Sequence, residues 1–249
     1  MVARKKNDNH NLLAVRSLHS TLVVSSLRVA VLVTSGKDSA LALHRAIQRG
    51  YEVAFLVTMI SQRPDSWMFH YPNIQLVDYF AEAVGIPLVK AETAGVKEVE
   101  VEDLKRLLAT LDVDAVVSGG ISSQYQKKRI DKVCNQLGLK PIAPLWHQNP
   151  RKLLEELVKL KIEALIVGVY SFGFTSDWLG RRIDYAAIND LAELNKKYQV
   201  SMVGEGGEYE TLVLDAPFFK KRMELIDVEK VWEGQSGYLL VKKARLVNK

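Results

Sequence analysis

Residues 31–46 read VLVTSGKDSALALHRA, and the folding of this stretch decides the rest of the chain. An apolar run, Leu27–Val33, enters Thr34-Ser35-Gly36-Lys37-Asp38-Ser39. Ala40, Leu43 and Ile47 then recur on one helical face, and Gly50 is placed to end the helix. The pattern predicts strand, loop, helix. In an open α/β sheet, ligands bind beyond the carboxyl ends of the strands, where this loop falls. The helix start there offers free N–H groups and a partial positive charge, and both favour phosphate. Gly36 lets the backbone approach an anion, Lys37 can neutralise its charge, and Ser35 and Ser39 can donate hydrogen bonds. Asp38 does not favour a bare phosphate; it suits Mg²⁺ or the holding of the loop itself. The spacing is not G-x-x-x-x-G-K-[ST], so this is not the loop of ordinary kinases and GTPases.

Outward from that loop, apolar strands alternate with amphipathic helices. Glu52–Met59 and Ile86–Val89 read as strands, as does Ala115–Ser118. Between them run helical stripes: Ile74, Val77, Ala81 and Val84, then Val101, Leu104, Leu108 and Leu111. Strands that are apolar throughout, separated by helices, predict a parallel sheet covered on both faces, a doubly wound α/β domain. Past Ser122 the pattern changes. Ile130, Val133 and Leu137 mark a helix, and Asn149-Pro150 caps and opens another carrying Leu153, Leu154 and Leu157. Ala164–Val169 reads as a strand, and Ile188, Leu191 and Leu194 stripe a helix over 184–198. Val200–Val203, Thr211–Leu214, Met223–Trp232 and Tyr238–Val247 follow without clear helices and predict paired antiparallel strands. The expected organisation is an extension over 1–26, expected to be disordered, a nucleotide-binding domain over 27–121, and a smaller α/β domain over 122–249 that ends in antiparallel strands.

The 249 residues are 48% hydrophobic and 25% charged, ordinary for a globular protein. The net charge of +5 is concentrated at the ends. Residues 1–26 contribute +3 and 238–249 contribute +4, which leaves the body at −2. Such a body argues against a nucleic-acid backbone as main partner. The single cysteine, Cys134, excludes a disulfide within the chain and fits a reducing, cytoplasmic home. Beside Val133 and Leu137 it reads as a packed core residue. No run approaches the roughly 20 apolar residues of a membrane span. Residues 1–26 bear Arg and Ser and few acids, a weak likeness to a transit peptide, and are read here as an extension. His44, His70 and His147 have no ligand spacing.

The loop resembles S-G-G-x-D-S, the pyrophosphate loop of the ATP pyrophosphatases in the HUP-type superfamily. Thr34 stands for the first Ser and Ser35 for the first Gly. More specific is Gly204-Glu205-Gly206-Gly207-Glu208-Tyr209-Glu210-Thr211, followed by LVLDAP at 212–217. With FLVTM (55–59), SGGISSQYQKKRI (118–130), PLW (144–146) and DWLGR (177–181), it makes roughly residues 27–235 resemble the diphthine–ammonia ligase family in a short, archaeal-like form. The resemblance implies an ATP-dependent, AMP-forming ligase. Such an enzyme adenylates the carboxylate of diphthine, a modified histidine on elongation factor 2. It releases pyrophosphate and lets ammonium nitrogen displace AMP, giving diphthamide.

By that resemblance ATP and Mg²⁺ are the expected cofactors. Thr34 to Ser39 would hold the leaving pyrophosphate, with Lys37 and Asp38 catalytic and Asp38 on the metal. Val57, Thr58 and Met59, at the end of the second strand, would read adenine. Gly119 and Gly120 would let the nucleotide pass. Tyr125, Arg129, Trp146 and Arg181 match family motifs or a plausible cleft and are assigned to substrate. Glu205, Gly206, Gly207, Glu208, Tyr209 and Glu210 form an acidic glycine-rich loop that suits a cation, either ammonium or the trimethylammonium of diphthine, with Tyr209 and Trp146 adding cation–π attraction. The expected partners are elongation factor 2 and ammonium, with no nucleic acid and no membrane; a homo-oligomer is left open. Two other readings compete: a tRNA-modifying enzyme with the same loop, and a nucleotide-binding regulator without turnover. One cysteine and a body of −2 weigh against the first.

Overall fold

The computed structural model describes residues 26–61, 73–96 and 98–249. Residues 1–25 of the expected extension, and His70, lie outside them. The first half forms β1 (Arg28–Leu32), α1 (Lys37–Gln48), β2 (Glu52–Ser61), α2 (Val77–Val84), β3 (Leu88–Thr93), α3 (Val99–Leu108), β4 (Ala115–Val117), α4 (Gln124–Leu137) and β5 (Lys140–Ile142). The sheet order is β3-β2-β1-β4-β5, and every pairing is parallel. The alternation of side chains along β1 explains the double winding. Val29 and Val31 pack with Leu41, Leu43 and Phe80 of α1 and α2. Ala30 turns to the opposite face, with Leu104 and Leu108 of α3 and Val133 and Cys134 of α4. Cys134 is fully buried, and burial pushes its thiol up to about 11, which fits a packing role.

The second half adds α5 (Pro150–Lys159), β6 (Glu163–Val169), α6 (Tyr185–Tyr198), β7 (Tyr209–Asp215), β8 (Lys221–Glu233) and β9 (Ser236–Asn248). Asn149 caps α5 by accepting the Lys152 amide at 3.1 Å, and Asp184 caps α6 by accepting that of Ala187 at 2.7 Å. The second sheet has the order β7-β6-β9-β8, with antiparallel pairs throughout. One core cluster runs without a break from Val29 of the first sheet to Val213 of the second. The two sheets are therefore packed together, with α1 and α2 in the shared layer.

Three local expectations are corrected. The third strand starts two residues later than Ile86 and continues to Thr93, because its partner β2 itself runs on to Ser61. Lys140–Ile142 is a strand the periodicity does not show; it is three residues long and contains Pro141, which an edge position tolerates. Val200–Val203 is a turn, not a strand. Gln199 leaves α6 in a left-handed conformation at φ 58°, and the Asn195 side chain donates to the Val200 carbonyl at 2.8 Å. The buried Val200 and Val203 anchor that turn, and their apolar character imitates a strand.

Candidate active site

The loop after β1 docks on the free edge of β7. The Val213 amide donates to the Ser35 carbonyl at 2.8 Å, and the Lys37 amide donates to Thr211 Oγ1 at 3.0 Å. A Cβ on Gly36 would stand 3.3 Å from Thr34 Oγ1 and 3.4 Å from the Thr211 carbonyl, so this close approach favours glycine. Ser39 closes the loop on itself: its hydroxyl donates to the Gly36 carbonyl at 3.0 Å and accepts the Thr34 amide at 3.3 Å. Gly36 is the N-cap of α1 and makes no side-chain cap; of the first-turn amides, that of Lys37 is taken by Thr211 and that of Ala40 by the Gly36 carbonyl, which leaves those of Asp38 and Ser39. Gly119, after β4, lies against the same turn. A Cβ there would fall 2.8 Å from the Asp38 carbonyl carbon and 2.9 Å from the Ser39 amide nitrogen. Gly120 has open space around it.

Ser35 is fully buried at φ 66°, in the left-handed region, and its hydroxyl has no hydrogen-bond partner among the described residues. A glycine would adopt that conformation without cost. Where the loop pattern places glycine, this chain holds a strained serine.

Lys37 is 3% exposed. Its ammonium donates to Asp38 Oδ2 at 2.8 Å and to the Val203 carbonyl, and lies 5.0 Å from the centre of the Tyr209 ring. Burial opposes the charge most, yet Asp38, Tyr209 and Glu210 together outweigh it and hold Lys37 above its usual range. Burial pushes the Asp38 carboxyl up, against the pull of Lys37. In this arrangement the lysine ties the loop to the turn before β7, and its charge is already matched by Asp38.

The glycine-rich run reaches the loop from the other side. Gly204 and Gly207 take φ of 70° and 83°, and the Gly207 amide donates to the Gly204 carbonyl at 3.0 Å. Its three carboxylates have separate environments. Glu205 Oε1 accepts the amides of Ile121, Ser122 and Ser123 at 3.0, 2.8 and 2.8 Å, bracing the turn that opens α4. Glu208 accepts the amides of Ser201 and Gly206 at 3.0 and 2.8 Å. Glu210, half-buried on β7, is pushed up to about 7, first by burial and then by Asp38, with Lys37 pulling the other way. Tyr209 is buried, donates to the Met202 carbonyl at 2.7 Å and already faces Lys37.

The other expected residues scatter. Val57, Thr58 and Met59 lie inside β2, not at its end, because the strand runs on to Ser61. Val57 O accepts the Val33 amide and Thr58 Oγ1 donates to the Val33 carbonyl, so both touch the start of the loop. Arg129 stacks 3.6 Å from the Tyr125 ring centre and pairs with Glu98. Trp146 carries Lys127 at 5.4 Å and meets His147 edge-on. Arg181 lies over Trp178 at 4.4 Å, pairs with Asp190, and borders a groove along α6 with Glu193 and Lys197. No residue of the loop or of the glycine-rich run lines that groove. Sequence reading missed Thr211 and Val203 as loop contacts; position at the two ends of the glycine-rich run was the available signal. It also missed Tyr170 and Gly168, for which the sequence carries none.

A parallel sheet whose first strand feeds a glycine loop into a helix, with a second sheet pinned to that loop, defines an α/β protein of the doubly wound class. Family comparison narrows this. Residues 27–141 match the diphthamide synthase N-terminal domain and 149–247 match the diphthamide synthase C-terminal domain. The chain is 34% identical over 247 residues to a rat diphthine–ammonia ligase, covering 88% of this chain and 91% of that one. It is 35% identical over 228 residues to the human protein of that name, covering 82% and 85%. A fission-yeast protein of that name (Schizosaccharomyces pombe) is 36% identical over 240 residues, 87% of this chain; the chain spans 39% of that relative's length. The chain belongs to the diphthamide synthase family.

Proposed function

We propose that this protein is an ATP-dependent ligase that converts diphthine on elongation factor 2 to diphthamide with ammonium as nitrogen source. The observation that carries the reading is the docking of the loop on β7, which brings the two motifs of the family together at Lys37 and Thr211. Residues 27–121 serve as the nucleotide-binding unit and 122–249 as the substrate-binding unit, with 1–26 an extension.

The loop fits a nucleotide. The Asp38 and Ser39 amides in the first turn of α1 are offered to the β- and γ-phosphates, and the stranded Ser35 hydroxyl lies in the same loop. No group of three His, Cys, Asp or Glu able to hold a metal occurs among the described residues. This suits Mg²⁺ bound mainly through phosphate oxygens, with Asp38, 31% exposed at its side chain, as the protein ligand. Magnesium would neutralise charge on the departing pyrophosphate. The protein's part is positioning: the loop amides hold the leaving group, and Gly119 lets the β4–α4 turn close against it. The diphthine carboxylate attacks the α-phosphorus, pyrophosphate departs, and the acyl carbon then carries a good leaving group. Ammonium nitrogen adds to that carbon and AMP leaves.

No helix among the described residues is long and apolar enough to cross a membrane. A cytoplasmic site of action fits the substrate. The test is release of pyrophosphate and AMP from Mg-ATP. Release should require both ammonium and elongation factor 2 carrying diphthine, and should form the amide. ATP binding without release under those conditions would overturn the reading.

A further inference from the structure

Of the three carboxylates in the glycine-rich run, two are consumed by the fold. Glu205 holds three backbone amides and Glu208 holds two. Glu210 has no hydrogen bond and no ion pair among the described residues. Its neighbours define a place. On β7 it pairs with Gly168 of β6, which pairs in turn with Tyr238 of β9. Tyr170 fills the space that the glycine leaves, its hydroxyl 2.6 Å from where a Cβ would stand. Glu210 and Tyr238 both act on that hydroxyl, and Lys37 and Asp38 of α1 act on Glu210 itself. Glu210 therefore stands beside Tyr170 and within electrostatic reach of Lys37 and Asp38, its carboxylate uncommitted among the described residues.

We propose that Glu210 is a catalytic residue: its carboxylate receives the ammonium ion and takes a proton from it as the nitrogen attacks the adenylated carboxyl carbon. The assignment rests on the ligase reading above. Ammonium has no lone pair, so a base must act before the C–N bond can form. Two protons leave the nitrogen in all. Glu210 takes the first, which frees the lone pair. The C–N bond forms, the C–O bond to AMP breaks, and AMP departs with that electron pair. The second proton passes from the nitrogen to water or to the departing phosphate. A carboxylate half-shielded from water, with the Tyr170 hydroxyl beside it, suits a small cation that can donate hydrogen bonds.

The test separates adenylation from amine attack in the full-length protein with diphthine-bearing elongation factor 2. Adenylation is read as diphthine-dependent exchange of labelled pyrophosphate into ATP, and amine attack as amide formed. Hydroxylamine replaces ammonium as a nucleophile that is already neutral at pH 7 and needs no proton removed to expose its lone pair. Glu210→Gln should keep the exchange within about threefold, lose roughly 100-fold with ammonium, and return to within about tenfold of the parent with hydroxylamine. Equal loss with both nucleophiles would overturn the base role, as would unchanged activity with ammonium. Loss of the exchange itself in both Glu210→Gln and Glu210→Asp would also overturn it, by showing that the residue acts before the amine step. No exchange in the unaltered protein would remove the ligase reading, and this assignment with it.

Discussion

The amide of Val213 donates to the carbonyl of Ser35 at 2.8 Å, and this bond sews the β1–α1 loop of one sheet to the edge strand of the other. An edge strand normally presents unpaired backbone groups, a liability that proteins cover. Here the cover is the β1–α1 loop. That loop is thus held by β7, and changes on either side should be felt on both.

Ser35 is the first place to look. It is buried in the left-handed region with a hydroxyl that has no partner among the described residues. Left-handed backbone costs a non-glycine residue roughly 1–2 kcal/mol, and a stranded hydroxyl adds to that. Glycine gives some of the gain back through its freer unfolded chain. Ser35→Gly should raise unfolding free energy by about 1 kcal/mol, read by urea denaturation. Ser35→Val should lower it, because a β-branched residue is poorly suited to that conformation.

Gly119 should tolerate no side chain. An added methyl would meet Asp38 and Ser39 backbone at 2.8–2.9 Å, and neither can swing away. Gly119→Ala should cost about 1–3 kcal/mol and weaken ATP binding by displacing the first turn of α1. Gly120→Ala, with open space around it, serves as the control and should change stability little. Equal effects at the two glycines would count against the close packing.

Glu205 should matter to the fold. One oxygen accepts three amides, two of them at 2.8 Å, and these bonds carry a full charge. Glu205→Ala should lower unfolding free energy by about 2–3 kcal/mol, since the amides at the start of α4 lose their acceptor. Glu205→Gln keeps an acceptor without the charge and should recover part of it. Chemical denaturation of the three proteins side by side checks this.

Glu210 ties stability to pH with a sign that can be worked out. Its carboxyl ionises near 7 in the fold, against an ordinary value of 4.5. Between those values the folded protein binds the extra proton, so stability falls as pH rises from 4.5 through 7. Glu210→Gln removes that dependence. The variant should match its parent near pH 4.5 and exceed it by about 1–3 kcal/mol at pH 8. Unfolding curves at the two pH values decide it; a variant less stable than its parent at pH 8 would contradict the assigned environment.

Much of the architecture was legible along the chain. The alternation of Val29, Ala30 and Val31 with the helical stripe of Leu41 and Leu43 is local, and local periodicity is what a sequence displays. Gly36 could be placed at the loop before the helix because its chemistry and order suffice, whereas Ser39, read with that loop, lies in the first turn of α1. β5 was not legible, since three residues containing Pro141 are too few to show a period. Val200–Val203 was misread because two buried valines anchoring a turn look like two on a strand.

The site divides in the same way. The sequence alone determined the order of strands and helices apart from β5 and the turn at 200–203, the loop that opens α1, and the family, because each rests on residue type at short spacing. It also marked three glutamates as a group. Only the tertiary structure decided that Glu205 and Glu208 bind backbone while the Glu210 carboxylate is left uncommitted among the described residues, and that Lys37 turns inward to Asp38, Val203 and Tyr209. Those outcomes depend on contacts such as that of Lys37 with Thr211, 174 residues apart. The partners there are mostly main-chain amides and carbonyls, which every residue carries, so their pairing leaves no trace in the order of side chains.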